Sequence, residues 1–225
     1  MTLDQIFGTK PKDSIFLPLQ PYNVRFNCQS GQMAVSDTEF LGAEAEISII
    51  KVARFFGTLG RTSNVEWLQL FYIPAPDCEA LPQNTVCVSY LKTRSVSQFQ
   101  QVVTRLLGEG TNPAEGIFKV GFQAHSNDYG SYYSVRFGWR KRKGSAETRQ
   151  LQMIADFVEG GPQLLDLNGT RRMVCIDGLD SAIEPNGSAN AIAQRLMEQA
   201  QANPELEAVE LMQRLALPEA QEKIC

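Results

Sequence analysis

The feature that most constrains the fold is the order of strands and helices predicted between residues 45 and 143. Runs rich in β-branched and aromatic residues predict five strands, at residues 45–56, 67–73, 85–91, 117–124 and 131–140. Between the third and fourth strands, apolar residues recur at three- and four-residue spacing, which predicts an amphipathic helix at residues 96–107. Gly108 and Gly110 end that helix. Three strands, a helix and two strands therefore form the central unit.

This order is that of the OB-fold, a five-stranded barrel. We therefore expect an α+β, mainly β protein: a five-stranded OB-fold-like barrel with a helix between strands 3 and 4, plus a C-terminal helical extension. The sequence predicts four segments, namely an N-terminal arm packed on the barrel (1–45), the barrel (46–143), a helix with an irregular connection (144–187) and an acidic helical hairpin or tail (188–225).

The predicted elements outside the barrel are shorter or more polar. Residues 147–158 predict a helix with Leu151, Ile154, Ala155 and Val158 on one face, and residues 173–176 predict a short strand. The helices of the last segment carry an apolar stripe. That stripe serves self-association or a protein partner, or it simply docks on the barrel.

Composition is that of a soluble globular protein, with 43% hydrophobic and 20% charged residues. No apolar run approaches the roughly 18 to 20 residues that a membrane span needs. The first residues lack a basic region followed by an apolar core, so we expect no secretory signal and a cytoplasmic location.

Residue types that carry catalysis or bind metals are sparse. The five cysteines are odd in number and widely spaced, which favours neither a disulfide framework nor a zinc site. His125 is the single histidine, and the motifs of phosphate loops and zinc proteases are absent. Asp177, Asp180 and Glu184 could together hold a divalent ion, although a solvated loop is the simpler interpretation. We therefore expect no enzyme, cofactor or metal.

Charge is unevenly distributed and indicates an anionic partner for the predicted barrel. Residues 47–150 contain 13 Lys and Arg against 7 Asp and Glu, a net charge of +6, whereas residues 151–225 contain 5 against 12, a net charge of −7. Single-stranded nucleic acid is bound by rings that stack on bases and by cations that contact phosphates. On the last strand, alternation predicts that Val135 and Phe137 face inward and that Tyr132, Ser134 and Arg136 face outward.

Rings and cations on the predicted barrel form the candidate nucleic-acid site. The candidates are Arg54, Arg61, Trp67, Tyr72, Lys92, Arg94, Lys119, Tyr129, Tyr132, Arg136, Trp139, Arg140, Lys141, Arg142 and Lys143. Arg61 lies in the glycine-rich connection at residues 57–64. Each ring has a competing interpretation as barrel core, and the basic run at residues 140–143 could be only a solvated strand end.

On these residues the chain resembles the OB-fold single-stranded-DNA-binding proteins, particularly the divergent ones carried by phages and plasmids. The resemblance lies in the element order and in the aromatic and basic content of residues 46–143. It implies binding of single-stranded DNA, in preference to RNA, with low sequence specificity. The last residues depart from the acidic tail with a terminal aromatic that bacterial members carry. The competing hypothesis is a protein-interaction or scaffold module that does not bind nucleic acid.

Overall fold

A computed structural model describes residues 14–128 and 130–177 and shows an α+β, mainly β protein. The strands are β1 (Tyr22–Asn23), β2 (Arg25–Asn27), β3 (Gln32–Ala34), β4 (Phe40–Gly42), β5 (Ala45–Leu59), β6 (Thr62–Pro74), β7 (Cys87–Lys92), β8 (Ile117–Asn127), β9 (Gly130–Arg140) and β10 (Met173–Cys175). The helices are α1 (Arg94–Gly108) and α2 (Gly144–Glu159), and a 3₁₀ turn spans Pro113–Glu115. Strands and helices thus follow the predicted order.

Two sheets contain these strands. The larger has seven strands in the order β1-β7-β6-β5-β8-β9, with β10 pairing the C-terminal part of β5. All its pairs are antiparallel except β1 with β7, so the sheet is mixed. The smaller sheet contains β2, β3 and β4.

The prediction of a closed five-stranded barrel is wrong, because the edges that would join are already occupied. The outer edge of β7 pairs with β1. On β9, the backbone N–H of Val135 donates to Ser95 Oγ of α1 at 3.0 Å. The N–H of Tyr133 donates to the carbonyl of Cys28 at 2.8 Å. Since β1, α1 and the chain after β2 satisfy these groups, β7 and β9 do not pair and the sheet stays open.

The first strand of the central unit, β5, contributes to both faces of the large sheet. Ile49 pairs with Tyr72 and Lys51 pairs with Phe71, so that Ile50 is an extra residue in the ladder. Such a bulge changes the face to which the following residues point. Ile47 and Ile49 accordingly join one apolar cluster, whereas Phe55 joins another on the opposite face.

The main core lies between the large sheet, the small sheet and α1. Phe99 of α1 contacts Phe118 and Phe137, with ring centres 5.7 and 5.2 Å apart. Phe26 and Met33 of the small sheet pack into the same cluster. The helical spacing of Phe99 and Leu106 explains why α1 buries this face.

The opposite face of the sheet is covered by α2 and by the chain that follows it. Gln150 Nε2 donates to the carbonyl of Pro74 at 2.8 Å, and Gln150 is almost fully buried. The predicted apolar face of this helix is confirmed at Ile154, which is buried, but not at Val158, which is 47% exposed; the other buried residues are Glu147 and Gln150. Polar residues are buried here because arginines of the sheet bind them.

The C-terminal extension predicted at residues 188–225 lies outside the described residues, as does Tyr129. Within the described part of the chain, neither helix has the length and apolarity that a membrane span requires.

Candidate nucleic-acid interface

The end of β7, the start of α1 and the β8–β9 hairpin together form one surface. Lys92 Nζ donates to Thr62 Oγ1 at 2.8 Å, which joins β7 to the start of β6. Arg94 Nη1 donates to Tyr132 Oη at 2.9 Å. The ring of Tyr132 lies 5.2 Å from that of His125, tilted by 32°. These five residues are called the cation–ring surface.

The cations of this surface are available for an anionic ligand. Within residues 14–128 and 130–177, no carboxylate forms an ion pair with Lys92 or Arg94. Neither does any pair with Arg61, which is exposed in the turn between β5 and β6. Arg61 precedes Thr62 and so adjoins the surface; the predicted loop at residues 57–64 is otherwise strand.

Hydrogen bonds hold the rings of the surface in place. His125 Nε2 and Ser134 Oγ are 2.7 Å apart, and Gln98 Nε2 of α1 donates to the same hydroxyl at 3.0 Å. Ser134, predicted to face outward, is buried in this contact. The face of the paired rings is therefore fixed on the hairpin, as a stacking surface for a base requires.

A second group of rings lies on the face of β5, β6 and β7 opposite α1. Cross-strand pairing arranges nine residues there in three rows of three, which we call the ring platform. The rows are Lys51, Phe71 and Val88; Ala53, Gln69 and Tyr90; and Phe55, Trp67 and Lys92. Lys92 Nζ lies 5.7 Å from the ring centre of Trp67, and Lys51 Nζ lies 6.0 Å from that of Phe71. Lys92 belongs to both named groups: its amine lies over Trp67 of the ring platform, and it precedes Arg94 by two residues.

Residues 162–177, which we call the strap, cover the ring platform. Leu164 packs with Phe71 in one apolar cluster, and Met173 packs with Trp67 in another. Asp166 Oδ2 accepts a hydrogen bond from Tyr90 Oη at 3.2 Å. Burial raises the pKa of Tyr90 well above its usual range, and the charge of Asp166 adds to the effect. Tyr90 therefore acts as a neutral donor to the strap.

The basic run at residues 140–143 is divided between structural and exposed cations. Arg140 donates to Glu46 Oε2 at 2.5 Å and to Glu147 Oε1 at 2.6 Å. Arg142 Nη2 donates to Ser48 Oγ at 2.8 Å. These two arginines tie β9, β5 and α2 together, whereas Lys141 and Lys143 are exposed.

The ionisation of this network follows from its hydrogen bonds. Hydrogen bonding to Arg140 holds the pKa values of Glu46 and Glu147 below their usual range, against the opposing effect of burial. Both carboxylates in turn raise the pKa of Arg140. Burial lowers the pKa of Arg142.

Other predicted site residues lie away from the cation–ring surface. Lys119 and Arg136 pair with Glu46 and Glu44 at 3.2 and 3.3 Å, beside a cleft of about 620 Å³. That cleft is also lined by Asp77 and Glu79, so its charged residues are four carboxylates and two cations.

The remaining predicted residues are partly or fully enclosed. Tyr72 is fully buried, and its hydroxyl lies 2.9 Å from Ser89 Oγ. Trp67 is 6% exposed beneath the strap. Trp139 Nε1 donates to the carbonyl of Pro113 at 3.0 Å. Arg54 pairs with Glu66 at 2.8 Å. Of the predicted set, Arg94 and Tyr132 are brought into direct contact. Lys92 lies two residues before Arg94 and binds Thr62, which follows Arg61.

Three participants were missed from the sequence. His125 was considered only as a lone histidine, and Gln69 and Tyr90 were not singled out. Alternation along β6 and β7 carries a signal for the last two, because residues two apart from Trp67 and Lys92 share their face. No local signal predicts the strap.

The sequence and the fold were compared with those of known proteins. Comparison with protein-family models, curated proteins and solved structures finds no match. Among the described residues, no group of three or more His, Cys, Asp or Glu could hold a metal ion, and Cys28, Cys78 and Cys175 are free thiols.

Proposed function

We propose that this protein binds single-stranded nucleic acid, DNA in preference to RNA, through the cation–ring surface and the adjoining Arg61. The observation that carries the proposal is the contact of Arg94 with Tyr132, which joins the start of α1 to β9 two residues after Lys92. Within the part of the chain that the structure describes, neither Lys92 nor Arg94 pairs with a carboxylate. A cytoplasmic location belongs to the same proposal.

The chemistry of the surface suits a flexible anionic strand. Each base stacked on an aromatic side chain contributes about 1 to 3 kcal/mol, regardless of the base. Tyr132 and His125 offer one such ring face, and the cations beside it suit phosphates. Side chains that stack and pair with phosphates favour low sequence specificity, because neither contact reads a base edge.

The experiment is a fluorescence anisotropy titration of labelled DNA and RNA oligonucleotides with the full chain at two salt concentrations. Binding should weaken steeply with salt, because each phosphate contact releases about 0.7 counterion from a single strand. The variant Lys92→Glu with Arg94→Glu should lower affinity by at least about tenfold, as expected for two reversed phosphate contacts.

A matched control is Lys141→Glu with Lys143→Glu, which changes the net charge equally. Tyr132 lies near one end of β9 and Lys141 just beyond the other, about 30 Å away at the rise of an extended strand. The control variant should keep most of the affinity. Equal losses in both variants would contradict the assigned surface, and no anisotropy change even at low salt would favour the interaction module instead.

A further inference from the structure

We propose that the ring platform is the larger stacking surface for nucleic acid, and that the strap occupies it until the strand displaces it. This inference rests on the proposed function and adds its regulation: binding begins at the cation–ring surface and extends across Trp67 once residues 162–177 move away.

Two cations at the edges of the ring platform support nucleic acid as its occupant in place of the strap. Lys51 Nζ donates to the carbonyl of Leu164 at 2.9 Å, and Lys92 Nζ donates to a threonine hydroxyl. Within the described part of the chain, neither amine pairs with a carboxylate. The two cations lie at opposite corners of the ring platform, and each is bound to a neutral acceptor. A phosphate would give each of them a stronger, charge-assisted hydrogen bond.

The polar group at the centre of the platform is also incompletely satisfied. Gln69 is fully buried, and its Nε2 donates to Tyr90 Oη at 2.8 Å. Its Oε1 has no hydrogen-bond partner among the described residues. A buried acceptor without a donor costs about 1 to 3 kcal/mol. The amino or imino group of a base is the donor that the strap does not provide.

The strap lies so close to the platform that one residue controls it. A Cβ at Gly169 would overlap Tyr90 Oη and would come within 2.6 Å of Asp166 Oδ2. Gly169→Ala therefore requires Tyr90, Asp166 or the strap backbone to shift, which weakens the contact between the strap and Tyr90. The substitution leaves every residue of the ring platform unchanged.

The first experiment compares oligonucleotide affinity of the full-length wild type, Gly169→Ala and the control Leu167→Ala. Leu167 lies on the strap but is 70% exposed. Gly169→Ala should bind at least about fivefold tighter, because a larger fraction of the chain is binding-competent. Leu167→Ala should bind as the wild type does. Hydrogen exchange of residues 162–177 reports whether the strap has been released, and it should rise in the wild type when oligonucleotide binds.

The second experiment holds the strap closed reversibly. Phe56 and Val174 are direct cross-strand partners of β5 and β10, outside the ring platform, so their Cα atoms have the spacing that a disulfide needs. Phe56→Cys with Val174→Cys, in a Cys175→Ser background, should bind at least about tenfold more weakly when oxidised. Reduction of the same sample should restore binding, which controls for folding.

The outcomes separate the two proposals. Suppose that the wild type binds oligonucleotide and that Gly169→Ala has faster hydrogen exchange in the strap but the same affinity. This result would overturn strap displacement and leave the proposed function intact. Equal affinity of the oxidised and reduced cysteine variant would overturn it as well, even if Gly169→Ala failed to fold. If neither the wild type nor the reduced variant bound DNA or RNA at low salt, both proposals would fail.

Discussion

Glu147→Gln should destabilise the protein more than any other single loss of charge on α2. Glu147 is 6% exposed and accepts hydrogen bonds from Arg140 Nη1 at 2.9 Å and Nη2 at 2.6 Å, and from the backbone N–H of Lys143. Glutamine keeps the shape but replaces one acceptor oxygen with a donor that faces other donors. It also removes the charge that balances Arg140.

The magnitude follows from these contacts. Removing one partner of a fully buried ion pair costs about 3 to 5 kcal/mol. The Arg140 side chain is 20% exposed and keeps Glu46 as a second partner, so the cost is smaller. Hydrogen bonds to charged groups contribute about 1.5 to 3 kcal/mol. We therefore expect a loss of about 2 to 3 kcal/mol, or about 4 to 12 °C in Tm for a chain of this size.

Urea denaturation followed by circular dichroism measures this loss. Glu159→Gln is the matched control, because Glu159 is the exposed last residue of the same helix. It should change the free energy of unfolding by no more than about 0.5 kcal/mol. If Glu147→Gln lowers the free energy of unfolding by less than about 1 kcal/mol, the Arg140–Glu147 ion pair is not what holds α2 on the sheet.

Three further outcomes follow from the same contacts. The pKa values of Glu46 and Glu147 lie below their ordinary 4.5 in the folded chain. The stability that these carboxylates contribute is therefore present above that pH and is lost as the pH falls. Unfolding titrations should show that the difference in free energy of unfolding between wild type and Glu147→Gln shrinks below about pH 4. Gly116→Ala, whose Cβ would overlap the Trp139 ring, should cost about 1 to 3 kcal/mol and shift tryptophan emission, whereas Gly138→Ala has room. Ser95→Ala should cost about 1 to 3 kcal/mol in urea denaturation, because the buried N–H of Val135 loses its acceptor; a neutral result in either of the last two would contradict the packing described.

Local patterns predicted the elements well but not how they pair. The strand predicted at residues 117–124 is Ile117–Asn127, and the helix predicted at residues 96–107 is Arg94–Gly108. Both depend on spacing within a few residues. Closure depends on distant partners, and the pairing of β1 with β7 involves only two residues of β1. Such a short segment has no periodicity from which its partner could be predicted.

The candidate site shows the same division. Lys92, Arg94 and Tyr132 were predicted as exposed cations and a ring, and a hydrogen bond joins Arg94 to Tyr132 while Lys92 binds Thr62. Arg140 has the same sequence signature but is bound by two carboxylates, because Glu46 and Glu147 come from distant parts of the chain. Composition alone does not distinguish a cation paired in the fold from one exposed to solvent.

The extra residue at Ile50 has a consequence for how this chain tolerates length changes. Beyond it, odd-numbered positions of β5 point to the side where Phe71 lies, whereas before it they point to the side of Tyr72. Deletion of that one amino acid would place Lys51 directly after Ile49 and still opposite Phe71, so Phe55 would keep its place opposite Trp67. A shortening by one position at Ile50 would thus remove the irregularity and leave both surfaces of the strand as they are.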